Sequence, residues 1–463
     1  MKKLLLFATF LTFFSTFSHS AEAKNAELYQ DEKHEAQLYF KDGRLSFSSN
    51  DGNFKVSLNN CIDGAVAFYM PTSSLDGLEY SNTSLSGNDG EFRLSNGFIL
   101  RRIRLGVRTQ IYNKIFADID IDFDHGSVDI KDAAIKYQFH KNYSIRAGNI
   151  KEALSVDQQA SWFYMNTLER SMAIQAFTGG RRLGVATAGY GDRWWASVGL
   201  FGPRLSSNQK QENAGDDGVS GSGRIVVLPL KKDNIMLHVG VGASYHKPDA
   251  WGNDDRVLSF ISDTESRVDG HTFVEWSVAG AGKGGYVNNY EMISGEVALR
   301  TNKLLLMGEY IGTSISRYDL STDGNHVELG RSYISGWYAM ASYMILGEQR
   351  GYVGSEAEFG AMKMRKKSGN LEIMARVSGI NFNDDKIAGY EIMGGSALGY
   401  CVGLNWYPIS NILLGLNYTY MNNDKYADSS NGITYNGDLL SNSTEWSNGI
   451  DFSTIQMRAA ILF

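Results

Sequence analysis

Two consecutive segments between Leu100 and Asp124 put their charges on one strand face and their apolar side chains on the other. Ile103, Leu105, Val107, Thr109 and Ile111, then Ile115, Ala117, Ile119, Ile121 and Phe123, share one face. Arg102, Arg104, Arg108 and Gln110, then Asp118, Asp120, Asp122 and Asp124, share the opposite one. This is period-2 alternation over two successive strands. A three-residue turn at Tyr112, Asn113 and Lys114 would set Arg108 against Asp118, Arg104 against Asp122 and Arg102 against Asp124, each pair opposite in sign. An ordinary half-buried sheet gives the same pattern with its apolar face in a core, so the rest of the chain must decide which face meets what.

The N-terminus narrows the setting. Lys2 and Lys3, an apolar run from Leu4 to Phe14 and the closing Ala21-Glu22-Ala23 form a secretory signal, expected to be cleaved after Ala23. Beyond it no run of about 18 apolar residues occurs, which excludes helical membrane spans. Glycine is abundant (50) and proline scarce (5), and the 12% aromatic content is mostly 25 Tyr and 23 Phe. That mixture suits long, uninterrupted antiparallel ladders.

Alternating segments recur along the chain, and sixteen strands are expected. They start near residues 54, 98, 115, 129, 143, 182, 194, 222, 235, 289, 304, 333, 370, 397, 411 and 453. Their connections fall into two alternating classes. Long polar ones cover roughly 71–97, 151–181, 202–221, 246–288, 315–332, 381–396 and 423–452, and tight ones include Tyr112 to Lys114, His140 to Asn142 and Gly191 to Arg193. Short turns on one rim and long loops on the other describe an antiparallel transmembrane β-barrel of the outer-membrane type. Two connections fit poorly: 125–128 is short where a long loop is due, and 346–369 is long on the short-turn rim. Only a closed sheet satisfies its backbone in hydrocarbon, so the apolar face becomes a lipid belt and the charges line a lumen. Trp194, Trp406, Tyr418 and Tyr420 read as interfacial girdle residues. The expected division is a signal at 1–23, a periplasmic segment at 24–50 and the barrel at 51–463.

Sixteen strands enclose more space than their own side chains fill. The third long loop, Lys151 to Arg181, carries Trp162, Phe163, Tyr164 and Phe177 and is too apolar for a solvated loop, so it is expected to fold into the lumen. The last strand ends on Phe463, the terminal aromatic that outer-membrane barrels present to the barrel-assembly machinery.

Phe98-Ile99-Leu100-Arg101-Arg102-Ile103-Arg104-Leu105-Gly106, Lys131-Asp132-Ala133, Ile145-Arg146-Ala147-Gly148, Leu168-Glu169-Arg170 and Arg181-Arg182-Leu183-Gly184-Val185 occur in that order. Through Gly336-Trp337-Tyr338-Ala339 and Gly403-Leu404-Asn405-Trp406-Tyr407 to Phe463, the chain resembles the phosphate-selective porin O and P family. The resemblance implies a homotrimer of 16-stranded barrels in the bacterial outer membrane. Each pore would pass phosphate or polyphosphate along lumenal arginines. It places Arg101 and Arg102 at the constriction with Asp132 nearby; Arg104, Arg108, Arg146, Arg182 and, in the inward loop, Arg170 are the further pore-lining, anion-binding candidates. Strict alternation puts only one of Arg101 and Arg102 inside, so both reach the lumen only through a bulge. Guanidinium groups suit phosphate because they bind it bidentately. One departure weighs against strong selectivity. The family's anion-selective members carry a lysine in the inward loop, whereas here the one basic residue between Glu152 and Gly180 is Arg170, with Gln158 standing about where the lysine would be. The Asp118 to Asp124 row, facing the arginines, also builds a transverse field rather than a positive well.

Other classes fare worse. The formal charge of −7 disfavours nucleic acid. No cofactor or metal pattern is present, and Cys61 and Cys401 read as free, buried residues. No enzyme is expected, because the eight histidines are scattered without a neighbouring nucleophile motif. A weakly selective general porin, or a surface adhesive barrel using the long loops at 246–288 and 423–452, are the alternatives.

Overall fold

The computed structural model describes residues 36–41, 44–72, 77–80, 92–123, 127–202, 204–205, 218–248, 258–263, 265–278, 280, 284–365, 368–427, 433–435, 438–439, 442 and 449–463. The signal sequence, Asp124 and much of the 423–452 connection lie outside them. Sixteen strands close into one antiparallel barrel. In order these are β1 (Cys61–Pro71), β2 (Gly97–Ile111), β3 (Ile115–Asp122), β4 (Asp129–His140), β5 (Tyr143–Lys151) and β6 (Arg181–Tyr190). There follow β7 (Trp194–Phe201), β8 (Val219–Lys232), β9 (Ile235–Lys247), β10 (Tyr286–Thr301) and β11 (Leu304–Leu320). The last five are β12 (His326–Leu346), β13 (Asn370–Asp384), β14 (Ile392–Tyr407), β15 (Ile412–Asn423) and β16 (Phe452–Leu462). Each pairs with its neighbour in sequence, and β16 closes on β1 from Phe452 against Pro71 to Leu462 against Cys61.

The opening hairpin forms as its alternation requires. Ile111 pairs with Ile115, Arg108 with Asp118 and Arg104 with Asp122. The turn is made possible by Tyr112 and Asn113 adopting positive φ (49° and 55°). Leu105, Val107, Ile115 and Ile119 are exposed, while Arg102, Asp120 and Asp122 are buried. Exposed apolar and buried charged residues invert the usual globular arrangement, as a barrel in hydrocarbon demands. Trp194, Trp406 and Tyr418 are likewise exposed.

The strand expected from residue 54 is two strands. Phe54–Leu58 continues along β2, pairing Leu58 with Val107, and then Asn59 and Asn60 interrupt the ladder before β1 begins. The break follows from closure, because the backbone of Asn60 exchanges both hydrogen bonds with Phe463 (3.0 Å each). Arg44–Ser49 and Ala36–Lys41 extend the same sheet outward from Phe54–Leu58.

Three connections lie against the polar face of the sheet. The 152–180 segment contains α1 (Val156–Gln159), a 3-10 turn (Trp162–Tyr164) and α2 (Met172–Phe177), capped by Ser155 and Ser171 respectively. Glycines on the facing strands admit it. A Cβ at Gly336 would stand 2.8 Å from the Ala173 Cβ, and one at Gly415 would stand 2.9 Å from Leu168. The 246–288 connection, expected as a polar surface loop, instead forms a hairpin of Leu258–Asp263 with Thr272–Val278. Phe273, Val274 and Trp276 are at most 1% exposed, which removes much of its length from the surface. The cause lies in its sequence, since Leu258, Phe260, Trp276 and Val278 fall at alternate positions and are buried, with Phe260 packed on both Trp276 and Phe177.

The anomalous 346–369 connection is the third. Tyr352–Val353 pairs with Glu358–Phe359, and Gly351 and Ala361 close the hairpin base. It leaves the rim between β12 and β13 and reaches the far wall. There Lys136 of β4 bonds Glu356 (3.1 Å), Trp195 of β7 donates to the Ser355 carbonyl (3.0 Å) and Arg224 of β8 donates to the Ala357 carbonyl (3.0 Å).

The lipid belt makes a direct prediction. Val402, outward and 53% exposed on β14, should on Val402→Arg destabilise the barrel by about 2–4 kcal/mol in lipid vesicles. Denaturant unfolding of the two proteins measures this.

Candidate functional site on the polar face

The arginine and aspartate rows of the first hairpin meet on the inside. Arg104 bonds Asp122 (2.7 Å), Asp118 takes Arg146 (3.0 Å) and stands 3.9 Å from Arg108, and Arg108 is the most exposed of these side chains at 53%. Asp120 lies opposite Asp132 between β3 and β4, with Lys131 displaced from the register. Asp132 is held bidentately by Arg181 (2.8 and 2.6 Å).

Arg101 and Arg102 are separated by an irregularity in β2. Asp63 pairs with Arg102 and Gly64 with Leu100, so Arg101 is skipped. The extra residue lets both side chains turn to the polar face. Arg101 bonds Glu169 of the 152–180 segment (2.6 and 3.3 Å). Arg102 bonds Asp63, which Arg458 of β16 also holds (2.7 and 2.9 Å). The two guanidinium groups stack on Trp162, at 4.9 and 4.8 Å from its ring centroid. One carboxylate is therefore shared by two cations that also lie over one aromatic ring, so each guanidinium removed from water keeps a carboxylate partner and a π face, with a net charge of one left in the cluster.

The remaining named arginines are engaged within the protein. Arg170 donates to the carbonyls of Asp157 and Ala160, and Arg182 bonds Glu152 (3.1 Å). Lys151, at the end of β5, donates instead to the carbonyls of Gln158 (2.7 Å) and Gln159 (3.1 Å).

The family profile described as phosphate-selective porin O and P matches residues 77–443, well over half the chain. The chain belongs to the phosphate-selective porin O and P family. It is a porin of the bacterial outer membrane. Porin O of Pseudomonas aeruginosa is 20% identical over 324 residues, covering 66% of this chain and 72% of that protein. An uncharacterized protein of Caulobacter vibrioides is 23% identical over 338 residues, covering 70% of this chain and 63% of the relative, under two thirds of its length. Among solved structures, the outer membrane channel DcaP of Acinetobacter baumannii aligns at TM-score 0.48 and 11% identity, over 90% of this chain and 99% of that one. An anion-selective porin from Comamonas acidovorans aligns at 0.47 and 13%, over 89% and 100%.

The porin interior holds more buried ion pairs than the first hairpin announces. Arg350 bonds Glu372 (2.9 Å), Arg376 bonds Glu265 (2.6 Å), Arg224 bonds Glu296 (2.7 Å) and Arg317 bonds Asp384 (3.4 Å). Each of these eight side chains is at most 4% exposed. Most sit at polar positions in alternating strands, so the period-2 pattern could have put them on the inner face. Their partners could not be read, because Glu265 comes from a loop and Arg350 from a turn. Asp63 and Arg458 escaped notice for another reason, since the first and last strands meet only when the barrel closes.

On β2 to β6 the charged side chains Arg101, Arg104, Arg108, Asp118, Lys136 and Arg146 keep partial exposure. On the 152–180 segment, burial raises the Glu169 carboxyl, but Arg101 and Arg102 overcome it and hold the group below the ordinary range. Its contribution to holding that segment is therefore present above the ordinary carboxyl range and is lost only well into acid. Glu358 on the 346–369 hairpin moves the other way, raised by burial and by Glu356 against the pull of Lys151.

Asp63→Ala leaves Arg102 and Arg458 buried without their counterion, which should cost about 3–5 kcal/mol of stability. Comparing its unfolding with that of Asp118→Ala, a half-exposed acid expected to cost under about 1 kcal/mol, tests the distinction.

Proposed function

We propose that this porin passes small anionic solutes by passive diffusion, phosphate or polyphosphate among them, with weak selectivity. The observation that carries the reading is the distribution of exposure. On β2 to β6 the cations Arg101, Arg104, Arg108, Lys136 and Arg146 retain access, while the pairs Arg224 with Glu296, Arg317 with Asp384 and Arg350 with Glu372 are covered. The route runs along the β2–β6 wall, narrowed by the 152–180 segment folded into the lumen. Arg108, loosely held at 3.9 Å from Asp118, and Lys151, bonded to carbonyls, are the cations best able to face an anion. Cations in such a wall replace part of an anion's hydration shell.

A weakly selective general porin is the second reading. Its support is the pairing of Arg101, Arg104, Arg146 and Arg181 with carboxylates, which lowers the net positive charge of the wall. The wider reading includes export by the signal at 1–23, a periplasmic segment at 24–50 and assembly through Phe463. It also includes a homotrimer, for which the exposed apolar residues Phe98 and Leu100 offer a contact face.

Purified protein in a planar bilayer should conduct, and a KCl gradient should give a modestly anion-selective reversal potential. No conductance refutes the channel reading. A cation-selective potential refutes the anionic one, and absence of block by added phosphate leaves the general porin. Lys151→Gln and Arg108→Gln should each shift the reversal potential toward cation selectivity; unchanged potentials would remove those residues from the route.

A further inference from the structure

Glu296 of β10 stands where three parts of the molecule meet. Its Oε2 accepts the Val156 N–H at the start of α1 (2.8 Å). Its Oε1 accepts from Arg224 Nε (2.9 Å), Arg224 Nη2 (2.7 Å) and His238 Nε2 (2.8 Å). Both of these partners also grip the 346–369 hairpin. Arg224 donates to the Ala357 carbonyl (3.0 Å), and the ring of His238 bonds the Tyr352 hydroxyl through Nδ1 (2.9 Å). With Nε2 protonated to meet the carboxylate, Nδ1 is the acceptor for that hydroxyl. The two segments that narrow the barrel thus arrive from opposite rims and are tied to one carboxylate.

The wall makes room for this contact. Gly240 of β9 pairs directly with Glu296, and a Cβ there would lie 2.2 Å from Glu296 Oε1. The carboxylate lies over a bare stretch of backbone, within reach of Arg224 on β8, His238 on β9 and α1 at once. A second acid on the adjacent strand, Glu309, accepts the Asp157 N–H (3.0 Å) and the Tyr338 hydroxyl (2.6 Å), but has no bond to the hairpin among the described residues. The base of the connection has a tie of its own, Arg350 donating to the carbonyls of Tyr164 and Met165, whereas Glu296 joins α1 to the paired part of the hairpin through Arg224 and His238.

We propose that Glu296 is a positioning residue that holds the 152–180 segment and the 346–369 hairpin in place together, so that the two constrictions open and close as a unit. The inference rests on the channel reading for its consequence, a change in bore, but the coupling itself is a property of the fold. It differs from the constriction pairs at Arg101 and Asp63, which tie the 152–180 segment to the wall without touching the hairpin.

The test uses the full-length protein with two reporters, Ala160→Cys on the first segment and Ala357→Cys on the hairpin. Their parent alanines are 7% and 0% exposed, and the native Cys61 and Cys401 are both 2% exposed. Loss of a charge-assisted hydrogen bond should raise maleimide labelling at both reporters on the order of tenfold in Glu296→Ala. Gly240→Ala, which leaves the carboxylate intact but displaces it, should do the same. Tyr352→Phe should raise labelling at position 357 only. Single-channel conductance should rise in Glu296→Ala and Gly240→Ala, with barrel folding confirmed by unchanged heat-modifiable migration. Labelling that rises at one reporter alone, or at neither, in both Glu296→Ala and Gly240→Ala overturns the coupling. If the wild type labels as expected but does not conduct, the channel reading fails and the coupling stands.

Discussion

A sheet in hydrocarbon has no water to satisfy an open edge, so every other feature of this molecule depends on the pairing of β16 with β1. Closure turns a pattern that is ambiguous on two strands into a definite assignment of faces. Leu105, Val107 and Ile119 go to lipid, and Arg104, Asp118 and Asp122 go inside. It also makes contacts that no local pattern contains. Asp63 and Arg458 are nearly four hundred residues apart and share a salt bridge because the first strand lies beside the last.

Closing sixteen strands leaves an interior too wide for wall side chains to fill. In this chain three connections pack against the polar face of the sheet, and irregular backbone covered in this way must be satisfied by protein. The wall and the neighbouring connections do so with charge of the matching sign. Acids meet N–H groups, Glu296 at Val156, Glu309 at Asp157 and Glu265 at Met172. Arginines meet carbonyls, Arg376 at Glu169, Arg350 at Met165 and Arg458 at Leu168. The charge left over is cancelled pairwise, as between Arg350 and Glu372.

The strand plan was legible because lipid and lumen impose opposite chemistry on alternate residues. Fourteen of the sixteen strands begin within five residues of where alternation alone puts them, from Gly97 and Ile115 to Phe452, and a fifteenth begins at His326, seven residues early. The exception, at residue 54, fails where closure forces Asn59 and Asn60 out of the ladder. The inner site was less legible. Arg104 with Asp122 could be read because one tight turn fixes the register, whereas Arg102 meets Asp63 across a long connection that leaves the register open, Arg458 meets Asp63 only through barrel closure, and Arg101 finds Glu169 through a segment whose path no periodicity encodes. The 246–288 connection misleads through composition, since its polar residues mask the buried Phe260, Phe273 and Trp276.

A count of lumenal arginines is accordingly a poor guide to what this barrel selects. Most of the arginines on the far wall act as fixed solvent for inserted backbone, a structural task that needs their donors and leaves none of their charge for a solute. What remains is set by geometry on β2 to β6, where strands joined by short turns carry few covering segments and side chains such as Arg108 and Arg146 stay partly hydrated. There the cations face aspartates a few ångströms away, so the field runs across the passage more than along it. Paired charges hold a solute less tightly than a row of unpaired cations would, and weak holding is a condition for conduction, since a solute bound tightly enough to be selected absolutely would leave too slowly to be transported.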